Sequence, residues 1–177
     1  FTSSTTLTST GTGSGGDISF TKTVDASSSG GQSLTGNTAG ATTFGGAVGT
    51  TPLLSLTTNA GGSTKINGGS VTTTGTQAYN DAVVLGGTAT TLSSSGTGPL
   101  GNITFAPTVD AAASGIHSLT VNTAGTTIFD GDVGTTMALA SLLTDAPGTT
   151  DINAAHVTTS GAQTYNDAVV LGANTTL

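Results

Sequence analysis

Apolar residues in this chain come singly or in pairs, each followed by threonine or serine and then by a glycine-containing polar stretch. Ser33-Leu34-Thr35 leads after ten residues to Phe44 and then to Val48. Ser55-Leu56-Thr57 leads after ten residues to Ile66 and then to Val71. Leu7-Thr8 reaches Ile18 and Val24 by a slightly longer path, and Val71-Thr72 reaches Tyr79 and Val83 by a shorter one. This spacing predicts short strands that each turn one or two apolar side chains inward, with glycine, Asn and Asp at the corners between them. Equivalent inward residues then stack on those of the next coil at the strand spacing of roughly 4.8 Å. The expected fold is all-β, a parallel β-helix (β-solenoid) of about seven to nine coils and of order 35–45 Å long.

The same phrases return at a fixed distance. Gly16-Asp17-Ile18-Ser19-Phe20 reappears as Gly101-Asn102-Ile103-Thr104-Phe105, and Thr23-Val24-Asp25-Ala26 as Thr108-Val109-Asp110-Ala111. The longest echo pairs Tyr79-Asn80-Asp81-Ala82-Val83-Val84-Leu85-Gly86 with Tyr165-Asn166-Asp167-Ala168-Val169-Val170-Leu171-Gly172. The period is about 85 residues, with one residue inserted near Met137 and one deleted near Asn174; roughly three in five aligned positions are identical. Residues 1–177 therefore read as a single segment holding repeat unit 1 at about 7–91 and repeat unit 2 at about 92–177. A start at Phe1-Thr2-Ser3-Ser4, without Met, reads as a cut from a longer chain. Two tandem immunoglobulin-like β-sandwich modules are the alternative, since about 85 residues suits such a module. They call for longer alternating strands and a bulky aromatic centre, which this chain lacks.

Composition sharpens the picture. The 177 residues include 28 glycines and 41 threonines, but only 6% are charged and 4% aromatic. All nine acidic residues are aspartate, both basic residues are lysine, and cysteine and tryptophan are absent. A net charge of −7 excludes the basic stripe that nucleic acid requires. No apolar run approaches the roughly 20 residues of a helical membrane span, so no membrane insertion is expected. Without cysteine there are no disulfides or thiolate metal sites, as suits a secreted chain that folds without oxidation. Outward threonine and serine ladders can supply solubility in place of charge.

These residues resemble the repeats of large bacterial surface and secreted proteins of the filamentous-haemagglutinin type. The similar stretches are GNITF, SLTVNTAGTTIF, GTTMALASLLTDAPGTTDIN and AQTYNDAVVLGANTTL, and the likeness runs from Leu7 to Leu177. The resemblance implies a right-handed parallel β-helix, export by two-partner secretion, and a place at the bacterial cell surface or outside the cell. It implies an adhesin or surface fibre in which this repeat forms the shaft, and is silent about the host or surface ligand.

Candidate chemistry is sparse. Glycoside hydrolysis needs a carboxylate pair, and lyase chemistry a basic residue beside a metal or carboxylate. The chain has no Arg or Glu, and Lys22 and Lys65 align with Pro107 and Asp151. No enzyme and no catalytic residue is expected. His117 and His156 align with Gln32 and Ser70 and read as surface imidazoles. Asp130 and Asp132 offer hard oxygen ligands, the only candidates for calcium and so for any cofactor. Asp25, Asp110, Asn80, Asp81, Asn166 and Asp167 recur between units and read as side chains closing Asx-turns at corners. The inward repeat positions are Leu34, Phe44, Leu56, Ile66, Tyr79 and Val83 in unit 1, and Leu119, Phe129, Leu142, Ile152, Tyr165 and Val169 in unit 2. Tyr79 and Tyr165 are expected to cap coils with wet hydroxyls.

The expected role is a non-catalytic shaft or spacer supporting attachment or matrix formation, its partners being further copies of the repeat through end-to-end or lateral self-association. A threonine-rich ice-binding solenoid and a calcium-stabilised adhesin module are the rivals. Threonine pairs here are mostly adjacent, and adjacent strand residues face opposite ways, which works against a flat ice-binding rank.

Overall fold

The computed structural model describes residues 3–177; Phe1 and Thr2, part of the proposed cut edge, lie outside it. The chain is a parallel β-solenoid of three walls, and successive strands step from wall to wall. The first turns comprise β1 (Thr5–Thr8), β2 (Ile18–Phe20), β3 (Leu34–Asn37), β4 (Ala41–Phe44) and β5 (Val48–Leu53). Next come β6 (Leu56–Thr58), β7 (Ser63–Ile66), β8 (Ser70–Thr73), β9 (Gln77–Tyr79), β10 (Ala82–Leu85) and β11 (Ala89–Thr97). The column continues through β12 (Ile103–Phe105), β13 (Val109–Ala111), β14 (Ser118–Ala124), β15 (Thr126–Phe129) and β16 (Ser141–Thr144). It ends with β17 (Thr149–Ile152), β18 (Gln163–Tyr165) and β19 (Ala168–Leu171). The first wall stacks β1-β3-β6-β9-β12-β15-β17-β19, the second β2-β4-β7-β10-β13, and the third β5-β8-β11-β14-β16-β18. Every pairing is parallel, and eight strands on the first wall make about seven turns.

The core is the column the spacing predicted. On the second wall Phe20, Phe44, Ile66, Leu85 and Ala111 lie one above another. On the third, Val48, Val71, Leu92 and Val121 do the same. Ten of the twelve predicted inward positions are buried, from Leu34 and Phe44 to Ile152. Tyr165 is half-buried and Val169 is 40% exposed, because both lie on the last turn with no coil above them. Each fully buried Leu or Phe contributes about 1.5–3 kcal/mol relative to exposure. Serine and threonine ladders join adjacent turns on the outside, with Ser55 Oγ donating to Ser33 Oγ at 2.8 Å and Ser141 Oγ to Ser118 Oγ at 3.0 Å.

The chain bends in the left-handed region after Val48, where the register of β5 against β8 shifts, and after Val133: Gly49 and Gly134 adopt φ of +76° and +68°. A Cβ at either would lie 2.1 Å from a backbone carbonyl oxygen of the next turn, that of Thr72 or Thr158. The sequence places glycine there because no other residue fits both the angle and the gap.

The second repeat is not set directly above the first. Unit 1 begins on the first wall with β1, whereas its counterpart in unit 2, the start of β11, lies on the third. Likewise β2 is on the second wall and its counterpart β12 on the first. Val24 bridges to Val48 on the third wall, while its counterpart Val109 bridges to Val133 on the second. A repeat contributes eleven wall segments, counting the short Val24–Ala26 stretch, and three segments make a turn. It therefore ends one-third of a turn short of four turns. Each repeat keeps its internal pairings but is turned by one wall relative to its predecessor.

Candidate functional site

The chemistry-bearing side chains are mostly clasps between turns. Asp25 Oδ1 accepts hydrogen bonds from the Thr50 hydroxyl and, at 2.9 Å, from the Thr51 amide. Its counterpart Asp110 accepts the amides of Thr136 and Met137 at 2.9 and 3.1 Å. Asp17 Oδ1 accepts the Ala41 amide at 2.7 Å, and the aligned Asn102 Oδ1 accepts the Thr126 amide at 2.9 Å. Asn59 Oδ1 accepts from Thr38, and the aligned Asp145 accepts from Thr123. Carboxylate and carboxamide interchange at the last two positions, so what these sites require is an acceptor oxygen and not a charge.

Beyond the expected local turns, Asp25 and Asp110 bond to a chain segment some 25 residues further on, and Asp25 is also hydrogen-bonded by the nearby Thr23 side chain. Both aspartates face outward from the middle of a wall segment, Asp110 within β13, so each lies beside the next turn, whose exposed amides need acceptors. Hydrogen bonding holds the Asp25 carboxyl below its ordinary value, led by the Thr50 hydroxyl and then the Thr51 amide.

Asp81 departs further from expectation. It is 2% exposed and points into the column, where Oδ1 accepts from Thr58 Oγ1 at 2.8 Å and Thr64 Oγ1 at 2.7 Å. Burial pushes its pKa up, against those two bonds. Asp167 repeats the arrangement with Thr144 and Thr150, at 3.0 and 2.9 Å, but stays half-exposed on the last turn. Asn80 remains at the corner and donates through Nδ2 to Thr58 O at 2.8 Å; Asn166 is exposed, its amide donating to Thr144 O.

Nor is the Tyr79 hydroxyl wet as expected. Tyr79 is fully buried, donates to Gln77 Oε1 at 2.9 Å, and has its pKa raised by burial and by Asp81. Tyr165 donates to Gln163 Oε1 at 3.0 Å, and burial pushes its pKa up to about 12. Tyr79 lies inward because it continues the aromatic column of the first wall, whereas Tyr165, on the third wall opposite Thr144, packs against the core without a ring partner among the described residues. Nearly parallel rings stack at 5.3 Å for Tyr79 on Phe105 and 5.1 Å for Phe105 on Phe129.

Of the two histidines, His117 is buried rather than on the surface, with Nδ1 2.9 Å from Gly87 O. His156 is exposed, and its Nδ1 lies 3.3 Å from Asp132 Oδ2. Asp132 also accepts the amides of Ala155 and His156, and the bond from the His156 amide leads in lowering its pKa. Asp130 Oδ1 is engaged by Asn153 Nδ2 at 2.7 Å. The two calcium candidates thus each clasp the following turn, and among the described residues no three acidic or histidine side chains form a cluster able to hold a metal. Lys22 and Lys65 are exposed. No helix among the described residues is long and apolar enough to cross a membrane.

Comparison with known proteins returns no match to a protein family, to a curated protein or to a solved structure.

Proposed function

We propose that this chain is a non-catalytic structural shaft, a spacer within a large extracellular bacterial repeat protein of the filamentous-haemagglutinin kind. The whole protein would serve as an adhesin or surface fibre, with further copies of the repeat as neighbours. The observation that carries this reading is the one-wall rotation between repeats. Three successive repeats would present the same side chains on all three walls in turn, so no face of a long column is privileged. A mechanically continuous column with an averaged surface suits a spacer better than a binding face.

The rotation also weighs against ice binding. The outward rank on the first wall reads Thr6, Thr35, Thr57 and Ala78 in unit 1, then Thr104, Ile128, Asp151 and Val170 once unit 2 takes over. The rank already breaks at Ala78, and beyond Thr104 no threonine follows, because different strands of the repeat now occupy that wall.

The reading is tested by displaying arrays of two, four and eight repeats on a bacterial surface beneath a short epitope tag. A shaft predicts that capture by a tag-specific surface improves with repeat number, while untagged arrays adhere no better than bare cells. Adhesion of untagged arrays that grows with repeat number would replace the spacer by a binding module.

A further inference from the structure

Where the first and second walls meet in the first repeat, the inward residues are small. On the first wall Gly36 and Thr58 lie between Leu7 and Tyr79. On the second, Thr42 and Thr64 lie between Ile18 and Val83. All three threonines are fully buried. Asp81 closes this pile from the following turn, its Oδ1 accepting both the Thr58 and the Thr64 hydroxyls. Two buried oxygens of the group, Asp81 Oδ2 and Thr42 Oγ1, have no hydrogen-bond partner among the described residues. Thr42 pairs with Thr64 along the wall and borders the side-chain position of Gly36, where a Cβ would lie 3.4 Å from Thr42 Oγ1 and 3.5 Å from its Cγ2.

The second repeat fills the same place differently. Val121, fully buried, stands at the position of Gly36, while Thr127, Thr144, Thr150 and Asp167 stand at those of Thr42, Thr58, Thr64 and Asp81. There Thr150 Oγ1 lies 2.9 Å from one carboxylate oxygen of Asp167 and 3.0 Å from the other. The first repeat thus combines a smaller residue with one more unanswered carboxylate oxygen. A buried acceptor without a donor is costly, and native interiors rarely leave one so.

We propose that the first repeat binds internal water beside Gly36, donating to Asp81 Oδ2 and accepting from the Thr42 hydroxyl. The two orphan groups define the guest. An ionised carboxylate oxygen only accepts, whereas the Thr42 hydroxyl has a hydrogen to give. Water answers both, and buried waters typically make about three hydrogen bonds to groups of this kind. A cation would leave the Thr42 hydrogen unplaced. It would also find one free carboxylate oxygen and three hydroxyls, short of the roughly six to eight oxygens that calcium takes. Protonation alone would turn Oδ2 into a donor and again leave the Thr42 hydrogen without an acceptor. The site is independent of the shaft reading, and either stands if the other fails.

A high-resolution crystal structure of the intact chain should show a water oxygen about 2.6–3.2 Å from Asp81 Oδ2. Gly36→Val installs the second repeat's residue, and Gly36 has no positive φ to forbid it. Deuteron magnetic relaxation dispersion should count fewer long-lived internal waters in that variant than in the parent. Should the variant not fold, the parent crystal decides alone. Thermal melts in sodium, potassium and choline chloride at equal ionic strength should coincide. Three results would each overturn the proposal: no water at Asp81 Oδ2, equal water counts in the parent and a folded Gly36→Val, or a cation-dependent melting temperature that Asp81→Asn abolishes.

Discussion

Tyr79 of the first repeat stacks on Phe105 of the second, ring centroids 5.3 Å apart and planes within 9°. The contact joins two different positions of the repeat, since Tyr79 aligns with Tyr165 and Phe105 with Phe20. Removing the Tyr79 ring opens a cavity in the middle of the column, whereas removing the Tyr165 ring trims a half-covered end. Tyr79→Ala should therefore cost about 3–5 kcal/mol in global unfolding, and Tyr165→Ala less than about 2. Denaturant titrations of both variants check this, and equal losses would contradict the placement of the joint.

Gly49 and Gly15 differ in what they can tolerate. Alanine at Gly49 meets both a positive φ and the Thr72 carbonyl oxygen, while a Cβ at Gly15 meets nothing within 4 Å. Gly49→Ala should lose more than the about 1–2 kcal/mol of the backbone angle alone, and Gly15→Ala should melt with the parent. A harmless Gly49→Ala would mean that the bend is drawn wrongly.

Asp81 and Asp25 should respond to pH with opposite sign. Burial raises the folded-state pKa of Asp81, so its contribution is greatest when protonated and is lost as pH rises through that raised value. Asp81→Asn should accordingly gain on the parent as pH climbs from about 4. Hydrogen bonds depress the pKa of Asp25, so its contribution is present above the ordinary carboxylate value and is lost as pH falls through the depressed one. Asp25→Asn should be the less stable form at pH about 7 and should converge with the parent in acid. Thermal melts over a pH series read both effects; an Asp81→Asn curve parallel to the parent's would remove the buried carboxylate from the account.

Much of the fold is legible in the sequence because each turn repeats a simple statement. Leu34 and Phe44 are apolar, ten residues apart and separated by a glycine-bearing corner, and they stack where that spacing puts them. The rotation between repeats is not legible in this way. It depends on counting wall segments, and stretches such as those around Val24 and Val133 touch their neighbours through single bridges that read as corner. Asp81 was hidden for a related reason. Asn80-Asp81 precedes an apolar run, as a corner would, and only the threonines brought in from other strands turn the carboxylate inward. His117 gives no signal in one sequence, because a serine on one side and an isoleucine on the other suit either side of a wall.

The arrangement of successive repeats is most directly read from helical diffraction or electron microscopy of a long array of covalently joined copies. Eleven segments at three per turn predict an advance of roughly 18 Å per repeat and a true axial period of three repeats, roughly 53 Å. A column that repeats itself after every single unit, or a flexible string of separate beads, would contradict the account.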